Sequence, residues 1–141
     1  MLGPLLHAGV HHITIANRTV AKAEALVASH GALATLQKAE LLALTPQAVE
    51  GDFDVIINAT ASSLAGESVP VPASVLRPGS LAYDMMYGPA AQGFMDWASA
   101  HGATARDGLG MLVEQAAEAF AIWRGVRPPA AQVLEEMRQT A

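Results

Sequence analysis

The chain has 141 residues, 8 Lys and Arg against 13 Asp and Glu, a formal net charge of −5, and no cysteine. With 52% hydrophobic and 15% charged residues, it is not a disordered protein, and one globular domain over residues 1–141 is expected. The acidic charge disfavours nucleic-acid binding, the lack of cysteine excludes disulfides, and the lack of an 18-residue apolar run or a leader pattern predicts a cytoplasmic protein without membrane contact.

The first third of the chain predicts a helix, a strand and a second helix. Met1–Ala8 is apolar and is closed by Gly9, which is typical of the end of a helix. His12–Ala16 alternates and is rich in β-branched residues, which predicts a strand. The remaining predictions here are a helix over Thr19–His30 with Thr19 as N-cap and Gly31 as stop, a weak strand near Ala34, and a short helix over Lys38–Leu44.

The rest of the chain alternates strands with helices. Phe53–Ile57 is almost continuously apolar and predicts a strand buried on both faces. The further predictions are a strand over Leu81–Met85, a helix over Ala90–His101, a strand over Ala103–Arg106, a helix over Leu109–Arg124 ended by Gly125, and a helix over Ala130–Arg138. This order predicts an α/β fold with a Rossmann-like parallel sheet and helices on both faces.

Small and polar residues follow each predicted strand. Because ligands of open parallel sheets bind at the carboxyl ends of the strands, these segments predict a binding crevice. The segments are Asn17-Arg18-Thr19, Asn58-Ala59-Thr60-Ala61-Ser62-Ser63, Asp84-Met85-Met86-Tyr87-Gly88 and Asp107-Gly108-Leu109-Gly110-Met111.

The first of these segments carries the clearest chemical signal. Dinucleotide folds that prefer NAD place an acidic residue after the second strand, whereas an arginine there accommodates a 2′-phosphate. Arg18 and Lys22 put two cations at a helix N-terminus, which opposes the helix dipole unless an anion binds there. A phosphate site and a solvated cationic turn are both compatible with this pattern.

The segment from Gly108 to Gln115 is less specific on its own. The third glycine of a G-x-G-x-x-G phosphate loop is missing, because Val113 occupies its position, so the two glycines indicate a close backbone approach at a helix start. Met111 and Gln115 share one helix face, although an exposed Gln is usually only solvated. The predicted core stripe of this helix is Leu109, Leu112, Val113, Ala116, Phe120 and Trp123. The five histidines have no metal-ligand spacing.

Taken together, four motifs in this order resemble the C-terminal nucleotide-binding domain of the shikimate dehydrogenase family. They are NRTVAK, INATASSL, YDMMYG and DGLGMLVEQAAEAF, of which the last is the most specific. The resemblance implies an NADP cofactor and the NADPH-dependent reduction of 3-dehydroshikimate to shikimate in aromatic amino-acid biosynthesis.

The resemblance also implies roles for individual residues. Asn17, Arg18, Thr19 and Lys22 match the grip on the adenosine 2′-phosphate, although many members have Arg where Lys22 stands. Asn58, Ala59, Thr60 and Ala61 match the N-A-T-S turn along the cofactor, with Ala61 in place of the usual Ser. Met85, Gly108 and Met111 match positions that border the nicotinamide, and Tyr87 and Gln115 match residues that reach the substrate, shikimate or 3-dehydroshikimate. No residue of this chain matches a catalytic position, and no metal is implied.

The family's first strand, its glycine-rich turn and its N-terminal domain with the catalytic Lys and Asp have no counterpart in the sequence. The expectation is therefore an incomplete NADP-binding domain that is inactive by itself. A non-catalytic nucleotide-binding or oligomerising fragment is the alternative. Without a central strand, the Ile13 and Val55 strands would pair directly or expose edges, and the latter favours a homodimer.

Overall fold

The computed structural model describes residues 1–60 and 69–140. These residues form two compact units, of which the first comprises residues 1–51 and 70–75 and the second the described residues of 52–69 and 76–141. No helix among them is long and apolar enough to cross a membrane.

The first unit is built around a β–α–β element. Helix α1 spans Leu2–His7, strand β1 His12–Ala16, helix α2 Val20–Leu36 and strand β2 Glu40–Leu44. Strands β1 and β2 are parallel, with His12 opposite Glu40 and Ala16 opposite Leu44. Leu6 and Ala23 are fully buried and Ala34 almost so, which means that the small alanine side chains let helix α2 approach its neighbours closely.

The chain between Gly31 and Leu44 differs from the sequence prediction. Helix α2 does not stop at Gly31 but continues to Leu36, because the alanines and leucines that follow offset the roughly 1 kcal/mol cost of a helical glycine. It ends where Lys38 adopts φ 55°. The predicted strand near Ala34 is therefore helix, and the predicted helix over Lys38–Leu44 is strand β2, because pairing with β1 overrides local helix propensity.

The second unit contains the remaining elements. Its strands are β3 (Val55–Asn58), β4 (Leu81–Asp84) and β5 (Thr104–Arg106), and its helices are α3 (Pro89–Ala100), α4 (Leu109–Arg124) and α5 (Ala130–Thr140). The strands form one parallel sheet in the order β3-β4-β5, with Asn58 opposite Asp84. Ala82, Ala91 and Phe94 lie in the core of this unit. The α/β class with parallel sheets and helices is thus confirmed.

The ladders of the described residues fall into two sheets, β1-β2 and β3-β4-β5. A direct ladder between β1 and β3, one of the two ways in which the sheet was expected to adapt, is not among them. Strand β3 is also less buried than its sequence predicts, since Val55 is 49% exposed. As first strand of its sheet, β3 has one neighbour only, which leaves its other edge open within the described residues.

The buried face of helix α4 is narrower than the predicted stripe. Leu109, Val113 and Ala117 are buried, so the prediction is correct for the first two of these. Leu112, Ala116, Phe120 and Trp123 are exposed instead, with Trp123 at 78%. The predicted stripe, with residues three and four positions apart, covers a wider face of the helix than the one that is buried. The buried residues follow one another at intervals of four, at positions 109, 113 and 117.

Candidate functional site

The predicted site residues occupy two groups, one in each unit. The first group follows strand β1. Asn17 is tied to the end of β2, since its backbone N–H donates to the Leu44 carbonyl over 3.1 Å. Its side-chain Oδ1 accepts the Thr19 N–H at 2.9 Å. This Asx turn sets the direction in which the chain enters helix α2.

Thr19 occupies the predicted N-cap position, but its side chain makes no capping hydrogen bond. Its carbonyl accepts the first helical bond, from Lys22 N–H at 2.9 Å. Arg18 and Lys22 are both exposed, and the first turn of α2 contains no acidic residue. This helix N-terminus therefore concentrates positive charge, which suits an anion.

The second group begins with the turn after β3. Asn58 Oδ1 accepts two hydrogen bonds from Thr60, from its N–H at 3.2 Å and its hydroxyl at 2.8 Å. The Asn58 amide Nδ2 donates to Asp84 Oδ2 at 3.0 Å on the neighbouring strand. Ala59 is exposed at the tip of this turn. Ala61 lies outside the described residues.

The turn after β4 is hydrogen-bonded to the same carboxylate, that of Asp84. Asp84 is completely buried, and its Oδ1 accepts the Met86 N–H at 2.8 Å. Met85, half-buried, continues the ladder by donating its N–H to the Asn58 carbonyl at 3.0 Å. Asp84 begins one of the four segments predicted to form the crevice, but no individual role was predicted for it. One signal in the sequence pointed to such a role, because an acidic residue inside an otherwise apolar strand must find hydrogen-bond donors.

Gly108 closes the back of this turn. Its N–H donates to the Met86 carbonyl at 2.8 Å, and a Cβ at this position would clash with the Met85 carbonyl oxygen. At this glycine the backbone therefore lies close to the backbone of Met85, while the place of Gly108 beside the nicotinamide stays a prediction. Gly110 differs, since a Cβ there would be in ordinary contact, 3.7 Å from Leu134 Cδ2.

The two residues expected to reach substrate have different surroundings. Tyr87 is 48% exposed and lines a cavity of about 400 Å³ together with Met95 and Arg106. Gln115 is exposed on α4 one turn after the half-buried Met111, and it is not among the residues that line this cavity. The described residues contain no cluster of His, Asp or Glu able to hold a metal ion.

Two short parallel sheets with crossover helices, and polar turns at the carboxyl ends of their strands, define a Rossmann-like α/β protein. Comparison with known proteins makes this specific. The family described as shikimate/quinate 5-dehydrogenase matches residues 2–66, and the shikimate 5′-dehydrogenase C-terminal domain matches residues 108–138. The chain belongs to the shikimate dehydrogenase family.

Its curated relatives include the NADP(+) shikimate dehydrogenases of Verminephrobacter eiseniae, 74% identical over 100% of this chain, and of Acidovorax ebreus, 76% identical over 98% of it. The chain spans 49% of the length of each. That coverage agrees with the expectation that the chain corresponds to part of a longer dehydrogenase.

Solved structures of related proteins have a similar fold. The 5-ketofructose reductase of Gluconobacter sp. strain CHM43 is 34% identical with a TM-score of 0.72, over 95% of this chain and 50% of that protein. Shikimate 5-dehydrogenase from Thermus thermophilus, in complex with NADP(H) and shikimate, is 27% identical with a TM-score of 0.71, over 97% and 49%.

Proposed function

We propose that residues 1–141 act as one NADP-binding domain, the nucleotide-binding half of a shikimate dehydrogenase. In the whole enzyme this half would serve the NADPH-dependent reduction of 3-dehydroshikimate to shikimate. The observation that carries the proposal is the cationic start of helix α2, where Arg18 and Lys22 stand at the position at which NAD-preferring folds place a carboxylate.

The adenosine 2′-phosphate is assigned to this helix start. Free backbone N–H groups in the first turn of a helix and the positive end of its dipole attract an anion, and the first turn of α2 offers no acidic side chain that would compete. In the proposal the Arg18 guanidinium and the Lys22 ammonium contact the phosphate, while Asn17 and Thr19 shape the turn that presents them.

The nicotinamide half of the cofactor is assigned to the second group. The turn of Asn58, Ala59, Thr60 and Ala61 would run along the cofactor, and Met85, Gly108 and Met111 would border the nicotinamide ring. Support comes from the hydrogen bonds that hold the two turns together at the ends of β3 and β4. NADPH would supply the hydride when it is bound, whereas these residues would orient the cofactor.

Titration of the chain with NADP and with NAD tests the cofactor assignment. We expect tighter binding of NADP, and the Arg18→Ala variant should weaken NADP by roughly 10- to 100-fold, because a charge-assisted hydrogen bond is lost, while leaving NAD unchanged. Arg124→Ala, which removes an exposed arginine at the C-terminal end of α4, is the matched control. Equal affinity for both cofactors would rule out the phosphate assignment.

Tyr87 and Gln115 are proposed to contact shikimate or 3-dehydroshikimate. The resemblance assigns the acid–base step, which typically contributes 10²- to 10⁴-fold, to a Lys and Asp in the other half of the enzyme and not to these two residues. The 141-residue chain alone should therefore show no NADPH oxidation with 3-dehydroshikimate. Turnover that survives exhaustive removal of host enzyme would contradict this, whereas cofactor binding without turnover also fits a non-catalytic nucleotide-binding module.

We also propose that the chain forms a homodimer. Strands β1 and β3 each have a single neighbour within the described residues, and open strand edges pair readily with another chain. Sedimentation equilibrium tests the proposal, since a monomer that persists at high protein concentration would contradict it. The acidic net charge gives no support to a nucleic-acid partner.

A further inference from the structure

The carboxylate of Asp84 is the most buried charged group among the described residues, with no exposed surface. It belongs to none of the groups assigned above to phosphate, nicotinamide or substrate. Its two oxygens are used separately, Oδ2 by the Asn58 amide at 3.0 Å and Oδ1 by the Met86 N–H at 2.8 Å. Both partners lie in turns assigned to the cofactor or directly beside them.

The chemistry of a carboxylate fixes the orientation of the Asn58 side chain. A carboxylate only accepts hydrogen bonds, so the Asn58 amide must turn its NH₂ group towards Asp84. Its carbonyl oxygen Oδ1 is then directed at Thr60, where it accepts both the backbone N–H and the hydroxyl. If the amide were reversed, its NH₂ group would meet the Thr60 N–H, and two donors would face each other.

The second oxygen holds the neighbouring turn. Asp84 Oδ1 accepts the Met86 N–H, and the carbonyl of the same Met86 accepts the Gly108 N–H at 2.8 Å. Met85 lies between these contacts, with its carbonyl against the Cα of Gly108. One buried carboxylate thus contacts the turn after β3 and the turn after β4.

We propose that Asp84 is a positioning residue that orients the Asn58–Thr60 turn and the Met85–Met86 turn along the cofactor. The effect on cofactor binding rests on the proposed function. The orientation of the Asn58 amide does not, because it follows from the hydrogen bonds of the chain alone.

An exchange of side chains between positions 58 and 84 tests the proposal. Asp84→Asn keeps an acceptor for the Met86 N–H but places an amide NH₂ group opposite the Asn58 NH₂ group. Asn58→Asp combined with Asp84→Asn swaps the two groups, conserves shape and charge, and restores every donor–acceptor pair. Asp96→Asn is the control, because Asp96 is an exposed carboxylate on α3 that accepts a single hydrogen bond from Gln92.

Amide hydrogen exchange, followed residue by residue by NMR, is the primary measurement. In Asp84→Asn we expect exchange at Thr60 to rise about tenfold, the equivalent of one lost hydrogen bond, while exchange at Met86 stays within a factor of about two. The swapped variant should return Thr60 to the rate of the parent chain. If Asp84 only stabilised the fold, Asp84→Asn would raise the exchange rates of Thr60 and Met86 together. The swapped variant would then not return Thr60 to the rate of the parent chain.

Cofactor binding is the second measurement. NADP should bind about tenfold more weakly to Asp84→Asn than to the parent chain and to the Asp96→Asn control. The swapped variant is judged by exchange at Thr60 alone, because it also changes Asn58, which is assigned to the cofactor. If no variant or parent binds NADP while the exchange pattern holds, the proposed function fails and the positioning role stands. If Asp84→Asn does not fold, folding of the swapped variant supports the proposal. A swapped variant that is unfolded, or one that leaves Thr60 unprotected, overturns it.

Discussion

Two turns of this chain have the same sequence pattern and different support. Asn17-Arg18-Thr19 follows β1 and Asn58-Ala59-Thr60 follows β3. In both, the Asn side-chain oxygen accepts the N–H of the Thr two residues later, at 2.9 Å in the first turn and 3.2 Å in the second. The local geometry is thus dictated by the Asn-x-Thr pattern in each case.

What surrounds the two asparagines is different. The amide of Asn58 donates to the buried Asp84, whereas within the described residues the Asn17 side chain takes part only through its oxygen. The Asn17 turn is instead held by its backbone bond to Leu44 and carries exposed cations. A short motif therefore determines a turn, and its neighbours on adjacent strands determine which further hydrogen bonds hold it.

The largest effect should come from Gly108, which lies against the turn after β4, the neighbour of the Asn58 turn. Gly108→Ala would place a Cβ against the Met85 carbonyl oxygen, and we expect the free energy of unfolding to fall by about 1–3 kcal/mol or more, because backbone must move. Gly110→Ala is the matched control, with room for its Cβ and a helical gain of up to about 1 kcal/mol. Urea denaturation measures both, and equal losses would contradict the close approach.

A direct comparison of the two asparagines comes next in size. Asn58→Ala removes a donor from a buried carboxylate and should lower the free energy of unfolding by about 1–3 kcal/mol. Asn17→Ala removes the acceptor of a half-exposed turn and should cost about 0.5–1 kcal/mol. Thermal denaturation of the two variants side by side measures the difference. Equal costs would mean that Asp84 adds nothing to the second turn.

The smallest effect is expected at Thr19. Its side chain makes no capping hydrogen bond, so Thr19→Ala should change the free energy of unfolding by less than about 0.5 kcal/mol. The same denaturation experiment measures it. A loss of about 1 kcal/mol, which is typical of a removed N-cap, would restore the role that the sequence assigned to this residue and would make the two turns less alike.

Much of the fold could be predicted from local pattern. The bounds of β1, with its alternating β-branched residues, and of α4, with Gly125 in the left-handed conformation after Arg124, agree with the prediction. The segment Lys38–Leu44 could not be predicted in this way. Its Glu, Leu and Ala residues favour helix, and only the ladder to β1 makes it a strand.

Of the candidate site, too, one part could be predicted from local sequence and another part could not. The cationic start of α2 and the glycine at position 108 are visible in the sequence, because charge at a helix start and glycine before a helix each carry a local signal. The contact of Asp84 with Asn58 joins residues 26 positions apart. Nothing in either segment alone encodes the register that brings them opposite each other, and that register decides which way the Asn58 amide turns.

The ladders also have a consequence for how the chain folds. Every ladder of the described residues joins strands that are consecutive in sequence, with His12 opposite Glu40, Val55 opposite Leu81 and Leu81 opposite Thr104. These pairs close loops of 28, 26 and 23 residues, whose closure entropies differ by only about 0.2 kcal/mol. Loop length therefore does not favour the formation of one ladder over another. The order in which the ladders form should therefore depend on the apolar surface that the helices cover rather than on loop length.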